Sequence, residues 1–149
     1  MPGTNLTRDE AATRSALVSV ASYDVDLDLT TGAETFATTS TIRFRCSESG
    51  ASTFVDFIGA AVTRLVVNGT DVDAAAAFAD SRITLAGLAT DNVVRIEAVG
   101  RYTNTGEGLH RFVDPVDDEV YLYSQFEVPD SRRMYPVFEQ PDLKASFAF

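Results

Sequence analysis

From Tyr23 the chain alternates strictly: Tyr23, Val25, Leu27 and Leu29 are apolar, and Asp24, Asp26, Asp28 and Thr30 between them are polar. Successive strand side chains point to opposite faces, so this stretch is satisfied only with one face in a core and the other in water. The pattern breaks at Thr31-Gly32-Ala33 and resumes with Phe36, Thr38, Ser40, Ile42, Phe44 and Cys46 on one side, which predicts a hairpin. Short β-type runs follow at 52–57, 61–67, 82–85, 92–102 and 120–126, separated by turn signals at Gly59, Asn68-Gly69, Asp80-Ser81, Gly87, Gly106 and Gly108. Only 7–18 reads as a good helix: Thr7 and Glu10 stand at capping-box spacing, with Ala11, Ala12, Ala16 and Leu17 on one side. The alanine run Ala74 to Ala77 reads as a helical turn or as part of a connection. Many short strands with one short N-terminal helix predict an all-β, antiparallel sandwich, with residues 1–149 as one domain.

Composition narrows the function. Twelve Lys plus Arg against 22 Asp plus Glu leave a formal net charge of -10, the wrong sign for a surface that must neutralise phosphates, so no nucleic-acid partner is expected. The single cysteine, Cys46, cannot form an intrachain disulfide and reads as a small buried hydrophobe. The single histidine, His110, excludes a multi-histidine metal site within the chain, and in its glycine-bounded turn it reads as a surface or hydrogen-bonded residue. No apolar run is long enough to span a bilayer, and the N-terminus has no apolar signal core; the expectation is a cytoplasmic protein with no membrane partner. The sequons at Asn5 and Asn68 are then inert turn and cap residues. The acid-rich run Glu107 to Glu119 lacks the glycine and the terminal glutamate of a calcium loop, and reads as a solvated loop. At the C-terminus, Ala145, Phe147 and Phe149 alternate like the opening of a strand that then stops, which points to a fragment of a longer protein.

The segment Tyr121 to Phe147, YLYSQFEVPDSRRMYPVFEQPDLKASF, carries a further signal. It resembles the signature near the end of the N-terminal domain in the zinc aminopeptidase family of aminopeptidase N, which includes leukotriene hydrolase. The matching positions are Ser124, Gln125, Glu127, Ser131, Arg132, Pro136, Phe138, Glu139, Gln140, Pro141, Leu143, Lys144, Ala145 and Phe147. Residues 6–12 and 22–29 also resemble the start of actinobacterial-type members, and Gly108 to Arg111 resembles a family turn. The chain departs from the family pattern at Val137 and at Glu139-Gln140, positions that read as packing and capping.

The resemblance implies a saddle-shaped β domain docked on a thermolysin-like catalytic domain of its own chain, with the active site at the junction. The zinc-binding H-E-x-x-H helix and the G-x-M-E-N strand of the family are absent from the sequence. Zinc would therefore be held in the full-length enzyme by ligands outside this chain, and the fragment alone is expected to be inactive. Its contribution would be one wall of the site for peptides with a free N-terminus. On a strand, Gln125 and Glu127 would project together while Phe126 anchors the core. Taken alone, Glu127 reads as a solvated carboxylate at a strand end; the resemblance instead makes it the partner of the substrate's α-ammonium. Gln125 reads either as an exposed amide or as lining the pocket of the first side chain. Arg132, Arg133, Glu139, Asp142 and Lys144 read as capping and ion-pair residues around a short helix near 130–136 that Asp130 would start. The rival readings are a noncatalytic peptidase-like scaffold and a free-standing binding module.

Overall fold

The computed structural model describes residues 5–149. It is mainly β. Helix α1, Arg8–Leu17, is followed without a break by strand β1, Val18–Asp28, which forms a hairpin with β2, Thr35–Cys46. Next come β3 (Thr53–Asp56), β4 (Ala61–Val67), β5 (Thr70–Val72), the single turn α2 (Ala74–Ala77), β6 (Phe78–Ala79) and β7 (Arg82–Leu85). The long β8 (Asp91–Arg101), β9 (Gly108–Val113), β10 (Val120–Gln125), a 3₁₀ turn at Ser131–Arg133 and β11 (Ser146–Ala148) complete the chain.

A six-stranded sheet runs in the order β11-β1-β2-β8-β4-β5, a three-stranded sheet in the order β3-β7-β6, and β9 pairs with β10 alone. All pairings are antiparallel except that of β11, which lies parallel to β1 at the sheet edge. The inner faces of the two larger sheets share one core, in which Tyr23, Phe36, Ile42, Leu65 and Ile96 of the large sheet join Val55, Ile83 and Leu85 of the small one. The expected mainly-β sandwich is thus present, and the alternation on β2 puts Phe36, Thr38, Ser40, Ile42, Phe44 and Cys46 inward, each buried.

Three expectations are corrected. The strand expected from Tyr23 begins at Val18, so α1 ends one residue early and hands the chain directly to the sheet. The apolar side of α1 is only partly covered: Ala11 and Leu17 are half-buried, Ala12 and Ala16 are exposed, and the one fully buried helix side chain is Arg14. Its guanidinium is satisfied inside by Asp56 at 2.8 Å and by Gln140 Oε1 at 2.9 Å, and it lies over the Phe54 ring at 4.7 Å. A charge so fully partnered can occupy the core side of a helix whose apolar residues are otherwise alanines and Leu17. The third correction concerns 107–119, where the expected solvated loop and the turn at His110 contain strand β9.

The capping box forms as expected. Thr7 Oγ1 accepts from the Glu10 amide at 3.2 Å and Glu10 Oε2 from the Thr7 amide at 2.9 Å. Glu10 also receives Arg82 at 2.6 Å, and that hydrogen bond, with the one from Thr7, holds the Glu10 carboxyl at about 2, well below its ordinary 4.5. A depressed carboxyl contributes stability that is complete above its unfolded value and is lost as pH falls toward its folded one. Glu10→Gln is therefore expected to cost about 1 kcal/mol or less at neutral pH, the pair being partly solvated. The difference from the parent chain should vanish between about pH 4.5 and about pH 2 in thermal melts followed across that range.

Gly100 sits opposite Phe36 across the β2–β8 ladder, and a Cβ at Gly100 would lie 2.2 Å from the Phe36 ring. Phe36 is fully buried, packed against Tyr102 with ring centroids 5.0 Å apart, and has nowhere to move. Gly100→Ala is expected to lower the denaturant midpoint by an amount worth about 1–3 kcal/mol with an unchanged slope.

Candidate functional site

The β9–β10 hairpin and the segment after it carry the site. The turn that closes the hairpin is built from the acidic run: Asp114 Oδ1 accepts from the Val116 amide and Asp117 Oδ1 from the Glu119 amide, both at 2.9 Å. These aspartates serve as turn-closing acceptors, as short acidic side chains do. At the other end, Gly108 has φ +63, and a Cβ there would come 2.6 Å from Arg133 Cβ. The hairpin therefore seats directly on the 3₁₀ turn because position 108 has no side chain.

Strand β10 ends at Gln125, so Glu127 lies beyond the strand rather than on it. Both residues line one open cleft of about 690 Å³, with Glu107, Tyr123, Asp130 and Arg133 among its other walls. Phe126 turns the other way, half-buried against the core and edge-on to Tyr135 at 5.9 Å, as expected of an anchor.

What holds Glu127 in place is a compact set of contacts. Its carbonyl accepts from the Asp130 amide at 3.1 Å, closing a tight turn. Arg132, buried, donates from Nε to the Pro129 carbonyl at 2.9 Å and also reaches the Asn5 side chain at 2.8 Å. The side chain of Asp130 does not cap the 3₁₀ turn as expected; it accepts from Arg133 Nε at 2.7 Å instead. Glu139 takes the capping role from further along the chain, accepting from the Arg132 amide at 2.7 Å and from the Ser131 hydroxyl. The expected short helix near 130–136 is correspondingly reduced to one 3₁₀ turn, because the chain must leave it at once to pair Val137 with Asp56. Glu139 and Gln140 act in packing and capping, as read from the sequence, with Gln140 buried against α1.

The charges of the cleft are unequally matched. Arg133 bonds Asp130 and lies 3.5 Å from Glu107, so one guanidinium serves two carboxylates. Glu127 has no ion-pair partner among the described residues, and it is exposed to the cleft. An unmatched carboxylate in a concave, partly walled site favours a cationic ligand group. No group of three or more His, Cys, Asp or Glu able to hold a metal occurs among the described residues. Nor is any helix among them long and apolar enough to cross a membrane. Arg133 forms ion pairs, as read from the sequence, but neither it nor Glu107 and Tyr123 was expected at the cleft; the local hint was the Gly106-x-Gly108 pair that brings the preceding loop to it.

Comparison with known proteins shows the family of the chain. The chain is 55% identical over 152 residues to "Aminopeptidase N" of Streptomyces lividans, an alignment that covers 100% of this chain and 18% of that protein. It is 44% identical over 52 residues to "Probable M1 family aminopeptidase 1" of Encephalitozoon cuniculi (strain GB-M1), covering 35% of this chain and 6% of the relative. The chain thus spans less than a fifth of the length of these curated relatives. The profile of the Peptidase M1 N-terminal domain matches residues 19–149, from the start of β1 to the last residue, and the chain belongs to that family.

Proposed function

We propose that residues 1–149 are the N-terminal β domain of a cytoplasmic zinc metallo-aminopeptidase that removes N-terminal amino acids from peptides. The observation that carries the reading is Glu127, the one carboxylate lining the cleft that has no cationic partner among the described residues. A free α-ammonium is the cation an aminopeptidase must recognise, and a charge-assisted hydrogen bond to it gains strength as the cleft is closed off from water. An internal peptide bond offers no such charge, so this contact selects chain ends. Gln125, beside Glu127 and in contact with its amide at 3.4 Å, would line the pocket of the first side chain. The names of both relatives support an aminopeptidase parent.

Zinc in this proposal is held outside the chain, on a catalytic domain of the same polypeptide against which this domain docks, and the 149 residues alone lack peptidase activity. The test uses the full-length enzyme and a pair of peptides that differ only in an N-terminal acetyl group. Acetylation is expected to abolish cleavage in the parent enzyme, and Glu127→Gln to narrow the preference for the free amine by about ten-fold or more, the worth of a charged hydrogen bond. An unaltered preference in the variant would remove Glu127 from amine recognition.

A further inference from the structure

The loop between β8 and β9 lines the same cleft through Thr105, Gly106 and Glu107. Its base is tied by backbone bonds, Thr103 N–H to the Leu109 carbonyl and Arg111 N–H to the Thr103 carbonyl, each at 3.0 Å. The Thr103 hydroxyl also donates to the Glu107 carbonyl. The tip is held differently. The Gly106 amide donates to Nδ1 of His110 at 3.0 Å, and the imidazole stacks on Tyr123 with centroids 4.7 Å apart. Gly106 has φ +91, and a Cβ there would approach the Tyr123 hydroxyl to 3.1 Å, so the loop tip, His110 and Tyr123 form one packed unit.

A backbone N–H can only donate. Nδ1 must therefore offer a lone pair, which places the single proton of the neutral imidazole on Nε2. Protonating Nδ1 sets a donor against a donor and removes the tether. Tyr123 on β10 stacks on the imidazole, Arg111 follows it on its own strand, and Glu107 on the loop is the residue next to Gly106. Glu107 is already engaged by Arg133, so the nearby carboxylate is not free to hold an imidazolium.

We infer that His110 is a positioning residue for the cleft: as a neutral Nε2–H imidazole it holds the loop tip at Gly106 against the site, and on protonation it releases that tip. The tether is independent of the peptidase reading; only its effect on peptide binding rests on that reading, which makes the two separable.

The chain contains one histidine, so its imidazole nitrogens are unambiguous in long-range 1H–15N correlation spectra. At neutral pH the proton is expected on Nε2. As pH is lowered through protonation of the imidazole, the Gly106 amide is expected to shift in step with it, and its protection against hydrogen exchange, taken relative to the intrinsic rate at each pH, to fall. His110→Asn puts an amide oxygen near the position of Nδ1 and cannot titrate, so its Gly106 amide is expected to stay constant over the same range. In the full-length enzyme the parent should show a rise in KM of about five-fold over this range beyond that of His110→Asn, with kcat tracking in both, about the worth of one hydrogen bond. A proton on Nδ1 at neutral pH, or a Gly106 amide indifferent to the imidazole titration, overturns the tether. A responsive amide with identical KM profiles in parent and variant overturns its role in the cleft; loss of amine selectivity in Glu127→Gln is scored separately.

Discussion

Asp56→Ala is expected to be the most damaging single change to the fold, lowering stability by about 3–5 kcal/mol. Asp56 and Arg14 are both essentially excluded from solvent, 1% and 2% exposed, and their 2.8 Å bond joins α1 to β3. Removing the carboxylate leaves the guanidinium buried beside an alanine. The Glu139 amide, which donates to the same carboxylate oxygen at 3.0 Å, also loses its acceptor. A domain of this kind has a total stability of about 5–15 kcal/mol, so the loss is a large part of the whole. Thermal melts should show the midpoint lower by about 10 °C. Replacing both partners, Arg14→Leu with Asp56→Leu, should recover much of the loss, because neither charge is then stranded. A midpoint for Asp56→Ala within about 2 °C of the parent would mean that water reaches Arg14 and that the pair is not the clamp described here.

The second large effect falls on catalysis. In the full-length enzyme, Glu127→Ala is expected to lower kcat/KM for free-amine peptides by about 10²-fold with KM raised, the consequence of stranding one partner of a charged hydrogen bond at the lower end of the usual 2–5 kcal/mol. The side chain is exposed and makes no ion pair among the described residues, so the same substitution should leave the melting point nearly unchanged. Steady-state rates and a thermal melt of one preparation separate the two effects. Unchanged kinetics in a folded variant would send the amine-binding role elsewhere in the enzyme.

The strands were legible because their signal is local. Alternation at 23–29 and 36–46 needs no distant partner to be recognised, and the inward sides of β1 and β2 followed from it. β9 was hidden because its six residues put His110 and Arg111 between Leu109 and Phe112 and are flanked by acids, which reads as polarity rather than period two. The buried arginine of α1 was hidden for a related reason. Apolar periodicity points to alanines, while the residue that enters the core is an arginine whose partners lie at positions 56 and 140. At the site, Gln125 and Glu127 were visible only through the motif that contains them. Glu107 and Arg133 meet across a fold in the chain, and His110 acts on a backbone amide four residues away, so neither relation leaves a spacing that a sequence displays. Glu139 displaced Asp130 as the cap because the chain returns past the 3₁₀ turn, an event decided by the pairing of Val137 with Asp56.

The Arg14 clamp also has a meaning in time. Its guanidinium is completed by Gln140, 126 positions along the chain, and α1 receives Gln140 on the Ala11 carbonyl as well. A contact spanning that much chain has a loop-closure entropy that nearby contacts must already have reduced. During synthesis the helix emerges first and waits, its arginine without a buried partner, until nearly the whole domain has left the ribosome. The β1–β2 hairpin can form from neighbouring chain, whereas the bonds from 137–140 to Asp56, Ala11 and Arg14 can form only once that segment is present. The segment 137–140, which follows the cleft-lining residues 125–133, thus completes the surroundings of the buried Arg14–Asp56 pair only near the end of the domain.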